Sequence, residues 1–194
     1  MGVVRVTLLT AAATAAVRAA RFDAGEEPDE PGRAAARAAA GRVPRAGRIL
    51  TGPSARCRVT CAELGLGREA EAETALADWD LGRWRGRGLD ETAEAEPDAI
   101  AAWLGDPAAA PHGGETLLAL RDRVGGWLDG LAHRPGDRVL AIAEPAVVRA
   151  AVLHALDLPP RVFWRLDAPP LALTRLSGDG RRWNLGLGTP PAPG

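Results

Sequence analysis

Two apolar runs far apart in the chain, Val3 to Leu9 and Arg138 to Ala143, each lead into a stretch that favours helix. Runs this rich in β-branched and aliphatic residues read as buried strands, and strands separated by helices imply mostly parallel sheet covered on both faces. The first run opens into a small-residue loop from Thr10 to Ala16. Asp29-Glu30-Pro31-Gly32 supplies a turn and helix start for Arg33 to Arg42, which Gly41 and Pro44 end. Arg48 to Thr51 reads as a short strand, and Ser54 caps the helix carrying Arg56, Thr60 and Leu64. From Glu115 to Leu131 the apolar residues Leu117, Leu120, Val124, Leu128 and Leu131 fall on one face of an amphipathic helix. Ala146 to Leu156 forms another helix, with Pro145 at its start. Leu171 to Leu187 reads as a hairpin turning at Gly178-Asp179-Gly180. The expected fold is an α/β three-layer sandwich with a C-terminal edge hairpin.

The 194 residues, 46% of them hydrophobic, suffice for one domain with a proper core. That domain is placed at 1–188, with 189–194 a disordered Pro-rich tail. Residues 78–114, rich in Gly, Pro and acids, read as an insertion over the pocket, with one helix around Glu91 to Leu104 and three tryptophans, Trp79, Trp84 and Trp103. A formal net charge of −1 gives no field to draw nucleic acid or an anionic membrane, and no apolar run is long enough to span a bilayer. All basic residues are arginine, and alanine is abundant, as in GC-rich bacterial genomes. Cys57 and Cys61 lack the count and spacing of a disulfide framework or a zinc site and read as buried thiols of a cytoplasmic protein. Met1 to Arg5 and the Ala-rich run after it look like a short signal peptide, but cleavage there would delete the first core strand.

Five segments in order then resemble one enzyme family. Leu8-Leu9-Thr10-Ala11-Ala12-Ala13-Thr14, with Arg21-Phe22 downstream, stands where the histidine phosphatase (phosphoglycerate mutase-like) superfamily has Leu-Val-Arg-His-Gly-x-Thr and Arg-Phe. Thr51-Gly52-Pro53-Ser54-Ala55-Arg56 to Thr60 resembles its Ser-Pro-x-x-Arg-Ala-x-x-Thr. Asp78 to Gly86 resembles its Glu-x-x-x-Gly-x-Trp-x-Gly, and His112-Gly113-Gly114-Glu115-Thr116 its Gly-Glu-Ser. Val139 to Ala146 falls where the family has a strand ending in Ser-His-Gly-Gly. The tail, Phe163-Trp164-Arg165 with Leu173 to Leu176, is similar to small bacterial α-ribazole phosphatase-like members.

The resemblance implies a reaction in which an imidazole attacks phosphorus, arginines and a second histidine hold the phosphoryl oxygens, and a carboxylic acid protonates the leaving group. It places the nucleophile at Ala11, its neighbouring arginine at Thr10, the phosphate-binding arginine at Arg56, the acid at Asp78 and the second histidine at Glu144. Ala11 has no lone pair, so phosphohistidine is excluded by that route. A carboxylate at 144 repels a phosphate dianion by about 4 kcal/mol per charge pair at ~4 Å and an effective dielectric of 20. Glu144 is then neutral, or pairs with Arg56, or the pocket has stopped taking phosphate.

The expectation is a degenerate member that binds a metabolite or partner through Arg56, Arg21, Thr10, Ala11 and His112, without metal or cofactor. His112 on its own reads as a solvent-exposed loop residue. The alternative is a hydrolase using an acid cluster of Asp78, Glu115 and Glu144 around Arg56. Expected partners are a small molecule, phosphorylated or not, and a second copy or another protein through exposed tryptophans and the hairpin.

Overall fold

The computed structural model describes residues 3–131, 137–180 and 182–188. The expectation for the tail at 189–194 falls outside them. Six strands form one sheet in the order β3 (Ala70–Ala72), β2 (Arg48–Thr51), β4 (Arg138–Ala143), β1 (Val4–Thr10), β5 (Leu173–Gly178), β6 (Trp183–Gly186). β3, β2, β4 and β1 run parallel, and the β5–β6 hairpin adds antiparallel to β1 at one edge. The three-layer α/β architecture is therefore as the chain implied.

Strand alternation divides the core in two. Val4, Val6 and Leu8 of β1, with Val139 and Ala141 of β4, pack under α6 (Leu117–Leu131) and α7 (Pro145–Ala155). Leu9, Leu140, Ile142 and Ile49 face the other way, toward Cys57, Cys61 and Leu64 on and just after α3 (Ala55–Glu63), with Ala39 of α2 (Glu30–Ala39) at the margin. Both cysteines are free and buried, and burial pushes the Cys61 thiol up to about 11.

The helix starts follow from side-chain caps. Ser54 accepts from the Cys57 amide at 3.0 Å, Asp29 from Gly32 at 2.8 Å, and Thr14 from Val17 at 3.2 Å, where it starts the short α1 (Ala15–Arg18). The single helix expected around Glu91 to Leu104 is two, α4 (Leu89–Ala95) and α5 (Pro97–Gly105). Pro97 forces Glu96 out of the helical region, to φ −137° and ψ 58°. β3 was not foreseen, because Ala70-Glu71-Ala72 is short and half exposed, with no apolar signal.

Trp79, Trp84, Trp103, Trp127 and Trp183 are buried and Trp164 is half-buried, so among the described residues no tryptophan is exposed. Among the described residues no helix is long and apolar enough to cross a membrane.

α6 and α7 approach through Gly125, where a Cβ would sit 2.3 Å from Nδ1 of His154. That ring cannot swing away freely, because its Nε2 meets Asp129 at 2.9 Å and Asp129 also accepts from the Trp183 indole at 2.9 Å. Gly126 and Gly130 on the same helix have nothing within 4 Å of such a Cβ. Replacing a helical glycine by alanine ordinarily stabilises by about 1 kcal/mol. Urea denaturation is expected to show Gly126→Ala and Gly130→Ala more stable than wild type and Gly125→Ala less stable.

Candidate functional site

The site forms where the parallel strands end. Ala11 and Ala12 follow β1, Gly52 to Ser54 follow β2, and Glu144 follows β4. From α3, Arg56 reaches back under the β1 loop. Its Nε donates to the Ala12 carbonyl at 2.6 Å and its Nη2 to the Ala11 carbonyl at 3.2 Å. Its Nη1 donates to Glu144 Oε2 at 2.9 Å. Both side chains are buried, at 3% and 1% exposure, so this ion pair is largely shielded from solvent. Glu144 Oε1 accepts from Ser54 Oγ at 2.7 Å and from Cys57 Sγ at 3.5 Å. The loop is held from the other side by Thr60, whose hydroxyl accepts from the Ala12 amide at 3.0 Å and donates to the Arg56 carbonyl at 2.8 Å. Of the three states open to Glu144, the structure shows pairing with Arg56.

Above this pair opens a cavity of about 240 Å³. Phe22, Trp79, Trp103, Phe163 and Trp164 wall it, and Arg21, Asp23, Arg56, Asp78, Glu144 and Arg149 bring polar atoms to it. The aromatic walls are interlocked, with Trp79 and Trp103 centroids 5.3 Å apart and Trp103 and Trp164 4.6 Å apart. Burial, reinforced by the nearby Glu144 carboxylate, pushes the Asp78 carboxyl up to about 8, although the Trp79 amide donates to its Oδ1 at 2.8 Å. At neutral pH Asp78 is a neutral acid that can donate a proton or a hydrogen bond.

The remaining expected residues divide. Arg21 reaches the cavity, but its guanidinium is bound to the Gly86 carbonyl. Thr10 and Ala11 are fully buried and do not line the cavity; they hold the loop through the backbone, the Ala11 amide donating to Ala143 at 2.9 Å. Glu115 does not join Asp78 and Glu144. Arg123 of α6 takes it bidentately at 3.0 and 2.8 Å and also donates to the Ala75 and Ala77 carbonyls, fixing the turn that carries Asp78.

His112 is not an exposed loop residue, because it is 1% exposed and its ring lies 5.2 Å from that of Trp84. Gly82 and Gly114 allow that burial, since a Cβ on either would strike the opposing backbone at 2.2 or 2.0 Å. The Gly114 amide donates to Nδ1 at 3.0 Å, and burial holds the ring's pKa down, so the neutral ring carries its proton on Nε2. His112 backs the tryptophan wall and does not line the cavity.

Sequence reasoning missed Asp23, Arg123 and Arg149. Arg149, on α7 one turn beyond Pro145, lies 5.6 Å above the Phe163 ring, and its buried Nε has no partner.

The histidine phosphatase superfamily (branch 1) profile matches residues 14–188. The chain belongs to the histidine phosphatase superfamily. A bifunctional protein of Mycobacterium tuberculosis is 29% identical over 151 residues, 74% of this chain and 42% of that protein, so the chain spans about two fifths of that curated relative. A solved mycobacterial glucosyl-3-phosphoglycerate phosphatase superposes with a TM-score of 0.83 at 26% identity, covering 94% of this chain and 97% of that one. An Escherichia coli protein described as a putative α-ribazole-5′-phosphate phosphatase shares the fold, with a TM-score of 0.82 at 16% identity over 95% of each chain.

Removing one partner of a buried ion pair costs about 3–5 kcal/mol, whereas replacing both by apolar groups is near neutral. Urea unfolding should show Arg56→Met losing about that much and the Arg56→Met/Glu144→Leu variant recovering most of it. The raised Asp78 pKa sets a second expectation. Between about pH 4, where the unfolded carboxyl titrates, and about pH 8 the folded state binds more protons, so stability falls as pH rises and levels off above that window. Asp78→Asn should flatten this decline in pH-dependent denaturation.

Proposed function

We propose that this member of the superfamily binds a small ligand in the aromatic-walled cavity and does not pass through a phosphohistidine. One observation carries the reading. Arg56, which the family resemblance assigns to the phosphoryl group, is committed to Glu144 and to the carbonyls of Ala11 and Ala12. A phosphate dianion would have to break that pair and sit beside the released carboxylate, a repulsion on the order of 4 kcal/mol. The methyl of Ala11 offers no nucleophile in its place.

The ligand class follows from the walls. Aromatic rings set tilted and edge-on around the cavity suit a flat or ring-shaped body, a sugar or an aromatic ring. Arg149 offers an anion its unpartnered Nε, and Asp23 offers a donor its unpartnered Oδ1. The chain's phosphatase relatives act on phosphorylated small molecules, and this cavity would hold the non-phosphate portion of such a metabolite or its carboxylate counterpart.

Asp78 supports a second reading, a slow hydrolase in which the neutral acid works with Glu144 and Arg56. Glu115 drops out of that cluster because Arg123 holds it. The two readings separate in one experiment with 4-nitrophenyl phosphate as the probe. Ligand binding without turnover predicts no phosphorylated protein by intact mass and no nitrophenolate above background. Turnover that disappears in both Asp78→Asn and Glu144→Gln would establish the hydrolase instead, and a trapped phosphoprotein would overturn both.

A further inference from the structure

At the opposite end of the sheet, on the face covered by α2 and α3, lies a second and larger concavity of about 470 Å³. The helices cover the face only near the strands' C-terminal ends. Below them Arg5 and Thr7 of β1, Arg138 of β4, and Arg175 and Ser177 of β5 remain open, and Arg45 closes one side. The register makes this a designed-looking array of like charge: Arg5 pairs with Arg138 on one neighbour and with Ser177 on the other, and Thr7 pairs with Arg175. By alternation all of them project from one face.

Several arginines elsewhere are coupled to acids, while others, such as Arg21 and Arg149, are not. Arg18, Arg33, Arg37, Arg56, Arg83, Arg87, Arg121 and Arg123 all sit in ion pairs. Here Arg5, Arg45 and Arg138 have no ion pair or side-chain hydrogen bond among the described residues, and Arg175 has only the Gly188 carbonyl at 3.3 Å. Among the described residues no aspartate or glutamate lines the concavity. Like charges on neighbouring strands destabilise a sheet, so in the free protein this arrangement costs stability that a bound anion would return.

We infer that this concavity is an anion site for a phosphorylated small molecule bearing two or more phosphate groups and an organic body of about nucleotide size. The guanidinium groups come from three adjacent strands and a loop, a span of roughly 10 Å at ~4.8 Å per strand. That is wider than one phosphate can bridge and matches a di- or triphosphate chain. Arginine forks suit phosphate oxygens, and the hydroxyls of Thr7 and Ser177 add neutral partners. Pro44, Ala46 and Leu140 give the organic body an apolar wall, and the volume lies in the range of small-molecule sites. The site is separate from the aromatic cavity and does not depend on its function.

Isothermal titration with ADP, pyrophosphate and orthophosphate tests this on the whole chain. ADP and pyrophosphate are expected to saturate one site, with affinity that falls as salt rises, ADP the tighter and orthophosphate the weakest. Arg5→Gln/Arg138→Gln should weaken both by at least about tenfold, and Arg149→Gln, in the other cavity, should leave them unchanged. Absence of saturable binding, or equal affinity in the double variant, overturns the inference; loss in Arg149→Gln instead moves the binding to the aromatic cavity. Stability supplies an independent readout. At low salt without ligand, Arg138→Gln should melt no lower than wild type, because it relieves repulsion, and a clear drop would mean that Arg138 serves the fold.

Discussion

The buried ion pair between Arg56 and Glu144 organises the functional end of this molecule. It joins three elements at once, because Arg56 belongs to α3, Glu144 caps the end of β4, and the Ala11 and Ala12 carbonyls belong to the loop after β1. Ser54, the cap of α3, donates to the same carboxylate. In a low-dielectric setting such a pair has to be fully bonded to be tolerated, and the carbonyls and the serine hydroxyl complete it. The bonds that on the proposed reading keep phosphate away from Arg56 are therefore among those that fix the loop geometry.

This closure has a consequence for Asp78. Burial, reinforced by the Glu144 carboxylate held beside it, keeps the proton on Asp78, the residue that the family resemblance matches to the proton donor. Arg123, through Glu115 and the Ala75 and Ala77 carbonyls, holds that acid where it is. On the proposed reading, the unpartnered atoms of Arg149 and Asp23 mark where a ligand would be held.

Much of the fold was legible in the chain because it rests on local rules. The strand Arg48–Thr51, the Ser54 cap and the proline start of α7 follow from apolar runs, capping chemistry and the missing proline amide, and the structure shows each of them. Pro97 carries the same kind of local signal, and it divides α4 from α5. The site was legible only in part. Motif order put Arg56, Glu144 and Asp78 together, but Glu115 and His112 went elsewhere for reasons that lie in tertiary contact. Arg123 captured the first, and glycines at 82 and 114 let the second sink behind Trp84. Arg149 carried no motif signal, since its significance comes from what it fails to bond.

On the proposed reading, Glu144 fills the place a phosphate would take. A thermal-shift titration of the wild type with orthophosphate and orthovanadate, beside Glu144→Gln, tests it directly. A ligand at ~100 times its dissociation constant adds about 2.7 kcal/mol of stability. The aromatic-end site predicts no Arg56-dependent shift in the wild type and the appearance of one once the carboxylate at 144 is neutral. A saturable vanadate shift in the wild type that Arg56→Ala abolishes and Arg5→Gln/Arg138→Gln leaves intact would contradict it.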